Sequence, residues 1–207
     1  MWYAWQGTYT SCFFMSLMPA VWGTEMYKIG LWLILFTLIA SVFVLVAVLM
    51  KDVLKVKDFW SCLFVQSMVA ITVMVFMRSA IEGFFWYNSA VHYTAMHSLG
   101  ILYVAGLIKM VCTSGKVKTG ILLALNMLAA FVIGGVNNVT VLQVGLVMLS
   151  IIFFGIIFKK KRVWLLTPVM VCYAVAMYLN LNAPGNAKRA ALYTSMKLSP
   201  VEAILRS

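Results

Sequence analysis

The chain holds only five acidic residues, so each carboxylate that could serve as an acid or a base can be weighed singly. Glu82 stands apart from the others. It lies in RSAIEGFFWYNSAVHYT, Arg78 to Thr94, among Phe84, Phe85, Trp86, Tyr87, Asn88, His92 and Tyr93. A carboxylate bordered by aromatic rings can keep its proton to higher pH and act as a general acid or base. Arg78, four residues earlier, is placed to pair with it if the segment is helical. The aromatic residues suit either the apolar face of a sugar or a belt at headgroup depth. His92 and His97 are five residues apart. On a helix that spacing sets them about 140° apart, whereas two helical metal ligands want a four-residue spacing. No metal site is expected from them. His92 is a candidate for bonding a polar substrate, and His97 for bonding a neighbouring helix.

Three further strings carry polar chemistry. NAPGNAKR, Asn182 to Arg189, combines a Pro184-Gly185 turn signal, the amides of Asn182 and Asn186, and the cations Lys188 and Arg189. A turn, amide donors and two cations at a helix start would cradle a phosphate; anchoring at lipid headgroups is the competing use of the same residues. GGVNNVT, Gly134 to Thr140, offers Asn137 and Asn138, either as a hairpin turn or as amides for a sugar hydroxyl. WQGTY, Trp5 to Tyr9, adds an aromatic and glycine pair near the start.

The elements that must position these strings follow from composition. Of the 207 residues, 64% are hydrophobic and 10% charged. Soluble domains run at about 45–50% apolar and about 25% charged, so this chain belongs in a bilayer. A membrane span takes about 20 residues. Six continuous apolar runs can be drawn: 27–50, 59–77, 91–112, 120–136, 139–158 and 163–181. Lipid requires each span to satisfy its own backbone, and the runs do not alternate as barrel strands do. The expected fold is an all-α, polytopic membrane helix bundle of about six transmembrane helices. Residues 1–26, aromatic and carrying Pro19, form an interfacial or re-entrant segment before the bundle at 27–181, and 182–207 form a tail; the whole is one membrane domain.

Net charge is +11, from 16 Lys and Arg against the five acids. Ten of the basic residues fall in three connections: 51–58, 109–119 and the KKKR run 159–162. All three lie on one face, which the positive-inside rule assigns to the cytoplasm. This sidedness explains the charge without nucleic acid. The termini, the 78–94 region and Asn137-Asn138 then face outward together, although Lys188, Arg189, Lys197 and Arg206 run against the trend. Cys12, Cys62, Cys112 and Cys172 form no CxxC pair and read as small buried hydrophobes.

The strings WQGTYTSCFFMSLMP, EGFFWYNSAVHYT, GGVNNVT and NAPGNAKR, in this order, resemble a family of bacterial multi-pass proteins grouped with GT-C-type glycosyltransferases. The resemblance covers most of the chain. It implies transfer of a sugar from a polyprenyl-phosphate carrier to a cell-envelope glycan at the outer face of the cytoplasmic membrane, without a cofactor. It carries over Trp5, Gly7, Glu82, Trp86, Tyr93, Asn137, Pro184, Gly185, Asn186 and Arg189. Two departures are plain. Thr8 stands where the family pattern favours arginine. The family's catalytic aspartate follows a first span, and Asp52 and Asp58 lie instead in a basic connection, so the chain is expected to be a piece of a longer enzyme. Glu82 is then the candidate catalytic base. Arg189, Lys188 and Arg78 are candidates for holding phosphate. Trp5, Gly7, Trp86, Tyr87, Asn88, His92, Tyr93, Asn137, Asn138, Pro184, Gly185 and Asn186 are candidates for contacting substrate. A transporter or flippase-like module for a lipid-linked glycan, or a non-catalytic scaffold subunit, are the alternatives.

Overall fold

The computed structural model describes residues 3–192. Lys197 and Arg206, placed above in the tail, lie outside the described residues. Among the described residues there are helices and no strand. A short helix α1, Tyr9–Ser16, and a single 3-10 turn, Pro19–Trp22, precede the bundle. Then come α2 (Thr24–Val53), α3 (Phe59–Val75), α4 (Tyr87–Cys112), α5 (Lys116–Gly134), α6 (Asn138–Ile157) and α7 (Lys161–Leu181). A last helix, α8, covers Pro184–Leu192.

All of these except α1, α3 and α8 are long and apolar enough to cross a membrane, and the 17-residue α3 is a shorter apolar helix. The six apolar runs read from the sequence therefore correspond to six helices. Only 22–39% of the most apolar stretch of each long helix is buried inside the protein. Trp32, Phe36, Phe64, Leu128, Leu142 and Phe153 are each at least 60% exposed. Water would penalise such a surface by about 25 cal/mol per Å², whereas lipid tails match it. The molecule is an all-α helix bundle suited to a bilayer.

α4 sits at the centre. It packs on α2, α5 and α6, and its Met96, Leu107 and Met110 are wholly buried. α5 lies against α7 where Ala130, fully buried, and Gly134 let the backbones approach; a Cβ on Gly134 would overlap Ala176. Small residues at a crossing are what lipid-embedded helices use to gain close contact. α3 is peripheral and packs chiefly on α2, burying Cys62 and Ala70. Polar groups within the spans are answered locally. Gln66 donates to the Phe43 carbonyl (2.8 Å), Asn126 to the Leu122 carbonyl (2.7 Å), and His97 lies beside Gln143 of α6.

Because α2 to α7 run alternately up and down, the connections fall at two ends. The lysine-rich connections share one end, where Lys109 bonds Asp52 (2.8 Å). Residues 5–10, 78–94, 134–140 and 180–189 share the other, tied by hydrogen bonds described next. We call these the basic end and the polar end.

Candidate functional site

The polar end is built on a clasp of backbone groups and amides. Lipid-embedded helices leave their last carbonyls without partners, and burial makes each one costly. The N-terminal segment and α8 supply the missing donors. The Thr10 backbone N–H donates to the Gly135 carbonyl (2.9 Å), its hydroxyl to the Val132 carbonyl (2.7 Å), and the Tyr9 hydroxyl to the Phe131 carbonyl. Burial pushes the Tyr9 phenol up, so it stays a donor. The end of α5 is thereby closed from outside.

A second set ties α7 to the end of α5 and closes α7 itself. Asn180, 1% exposed, donates from Nδ2 to the carbonyls of Gly134 (2.9 Å) and Val136 (3.0 Å). Asn186 donates to the carbonyls of Asn180 (2.7 Å) and Leu181 (3.0 Å), and accepts the Gly7 N–H (2.8 Å). Gly7 lies so near that a Cβ would overlap the Asn180 carbonyl oxygen and crowd Ala183. Three strings far apart in sequence therefore meet at Asn180, Asn186 and Gly7.

The Pro184-Gly185 pair does not make the expected tight turn. Proline is favoured at the first helical position because its missing N–H is not needed there, and α8 starts at Pro184 itself. That start is covered: Ala183 and Gly185 are buried, with Gly7 against Ala183. The cations Lys188 and Arg189 are offered from the second turn, and both are exposed. Arg189 is held in place. Its Nη1 donates to Oε1 of Gln6 (2.6 Å), and its guanidinium carbon lies 5.3 Å from the centre of a Trp5 ring. Gln6 is buried, with its Nε2 directed at the Cys12 sulfur. A neutral acceptor and an aromatic face orient the guanidinium without neutralising it.

Glu82 occupies an adjoining place. It lines an open cleft of about 590 Å³ with Arg78, Ser79, Ser89, Tyr93 and Thr94. The cleft is shaped by a wide π-turn, Ile81–Phe85, and by the Thr94 hydroxyl, which donates to the Gly83 carbonyl (2.7 Å). Arg78 and Glu82 form no ion pair. A four-residue pair needs a continuous helix, and Arg78 precedes the helical turn. Among the described residues, neither Arg78, Lys188 nor Arg189 has a carboxylate partner; the ion pairs there are Lys28–Glu25 and Lys109–Asp52. Among the described residues, the polar end thus offers one carboxylate and three cations without an ion-pair partner.

His92 joins the two parts. Its carbonyl accepts Nδ2 of Asn137 (2.7 Å), and its ring stands edge-on to Tyr93, 5.0 Å between centres. Asn137 is committed to structure, since its Oδ1 also caps α6 by accepting the Thr140 N–H (2.9 Å). Tyr87 is structural as well: it is buried, and its hydroxyl reaches the carbonyls of Phe14 and Leu17. Trp86, Asn88 and Asn138 are exposed and make no side-chain hydrogen bond among the described residues. Of the residues singled out in the sequence, Arg78, Glu82 and Tyr93 share the cleft. Trp5, Gly7, Pro184, Gly185, Asn186 and Arg189 share the clasp.

Gln6, Thr10 and Asn180 were not singled out, yet they organise the site. The signal for Asn180 was a polar residue at the end of an apolar run; Gln6 carried none. The buried side-chain polar atoms without a partner among the described residues are Ser11 Oγ, His92 Nδ1 and Asn180 Oδ1, and all belong to this end. Such atoms are satisfied in solution by water or ligand. No cluster of three His, Cys, Asp or Glu side chains occurs among the described residues. No protein-family model, curated protein or solved structure matches this chain.

Proposed function

We propose that the polar end handles a lipid-linked sugar, and that the chain works as a GT-C-like membrane glycosyltransferase or as the part of one that grips the donor. The observation that carries this reading is Arg189, fixed by Gln6 and Trp5 and with no carboxylate partner among the described residues, at the same end of the bundle as Glu82. The basic end then faces the cytoplasm, by the positive-inside rule, and the polar end faces outward across the bacterial cytoplasmic membrane.

In this reading the carrier's phosphate lies on Arg189 and Lys188, and the sugar extends toward Trp86 and Tyr93. Glu82 accepts the proton of an acceptor hydroxyl. The hydroxyl oxygen bonds the anomeric carbon as the bond from that carbon to the phosphate oxygen breaks. The electron pair leaves with the polyprenyl phosphate, whose growing charge the cations stabilise. Asn137, Asn186 and Tyr87 act as positioning residues, because their polar groups are already engaged within the protein.

The test measures donor binding and sugar transfer with a polyprenyl-phosphate sugar and a cell-envelope glycan. Glu82→Gln should lower transfer by about 100-fold or more, in line with loss of a general base, and leave donor binding intact. Arg189→Ala should weaken both. Full transfer by both variants, or no donor binding by the unaltered protein, overturns the reading.

A further inference from the structure

The basic end contains a cavity that the proposed transfer does not use. It measures about 650 Å³ and is walled by α2, α4, α6 and the start of α7. Its interior is apolar, with Val111, Val147, Phe154 and Phe158 among the lining residues. Lys55, Lys160 and Arg162 also line it, and all three are exposed. The carboxylate that lines it, Asp52, is already held by Lys109 through both oxygens (2.8 and 3.0 Å). Among the described residues, three cations therefore remain without an ion-pair partner beside an apolar hollow in a helix bundle.

That pairing selects an amphiphile with an anionic head. A free anion would gain the cations but leave the hollow unfilled. A neutral lipid would fill the hollow but leave the cations without a partner. Basic pockets between helices at the membrane surface suit anionic headgroups, because each lysine or arginine near the surface attracts the phosphate. Among the described residues, the two non-glycine residues with left-handed backbone, Lys55 (φ 61°) and Lys159 (φ 51°), lie in the two connections that frame the cavity. We infer that this cavity binds one anionic phospholipid, its phosphate on Lys55, Lys160 and Arg162 and one acyl chain in the hollow. The inference rests on the bilayer setting and is independent of the sugar-transfer reading.

Cys112 supplies a local readout, since it lines the cavity and is exposed, whereas Cys12 and Cys62 are buried. With Cys172→Ser as background, reaction of Cys112 with N-ethylmaleimide is timed in phosphatidylcholine nanodiscs. Adding phosphatidylglycerol at constant total lipid should slow the reaction by about tenfold, as a site about nine-tenths occupied requires. Salt at about 1 M, which shortens the screening length to about 3 Å, should weaken the protection. Lys160→Ala with Arg162→Ala should abolish it at the same membrane charge, and Lys160→Gln alone should reduce it. Protection that is unchanged in these variants, or produced by soluble glycerol 3-phosphate alone, overturns the proposal. So does an absence of protection by phosphatidylglycerol.

Discussion

The two ends of the bundle solve the same problem with opposite means. Both must close helices that leave lipid, and both carry an excess of positive charge. At the polar end, neutral groups from distant strings cap the helices: Asn186 on α7, and Asn180, Tyr9 and Thr10 on the end of α5. The cations there are left over from that closure and stay available. At the basic end, closure is local. Short connections turn through Gly115 (φ 108°), Lys55 and Lys159, and Asp58 caps α3 by accepting the Ser61 N–H (2.6 Å). Long-range order, and with it a pre-shaped site, is concentrated at the polar end. The basic end is turned mainly by sequence neighbours, with the Lys109–Asp52 pair joining α4 to α2.

Glycine substitutions are the sharpest way to break this contrast. Gly7→Ala should be the most damaging single change, because the methyl group has no space beside the Asn180 carbonyl. A loss of about 3 kcal/mol or more is expected, within the range for overpacking, and it should appear as a large drop in unfolding temperature in detergent. Asn180→Leu should come next, at about 2 kcal/mol, since two carbonyls then lose a buried donor. Gly115→Ala at the basic end has open space and meets only its left-handed backbone, so about 1 kcal/mol is expected from the same melting curves. A larger loss for Gly115→Ala than for Gly7→Ala would invert the comparison.

The smallest effect concerns Asp58. Its bond to Ser61 holds the carboxyl below the ordinary aspartate value. A lowered folded-state pKa means that the cap contributes fully above the ordinary value and is lost as pH falls through the folded value. Melting curves between about pH 5 and about pH 2 should therefore lose a small contribution that Asp58→Asn, which cannot titrate, does not show.

Much of the scaffold was legible because hydropathy acts on whole segments. The run 163–181 corresponds to α7 and 139–158 to α6 within a residue or two at most. Charge placement likewise separated the two ends. The inward faces were not legible, because helices apolar on all sides hide no stripe; nothing in the sequence marks Met96 or Met110 as core against exposed Phe36. Local signals failed where a longer contact decided. Pro184-Gly185 read as a turn but opens α8, and Arg78 with Glu82 read as a pair but lacks the helix that would align them. The Gly7–Asn186 contact joins residues 179 apart, beyond any periodicity. The convergence of the four polar strings at one end was expected from alternating topology, and the hydrogen bonds that join them were not.

The common sidedness of those strings is the claim on which the rest depends, and cysteine labelling tests it most directly. In a Cys112→Ser, Cys172→Ser background, single cysteines replace Asn88, Asn138 and Lys188 at the polar end, and Lys57, Lys118 and Lys161 at the basic end; all six positions are exposed. Intact cells are treated with a membrane-impermeant maleimide. The account predicts that the first three are labelled and the second three only after lysis. Labelling that divides Asn88, Asn138 and Lys188 between the two sides of the membrane would contradict it.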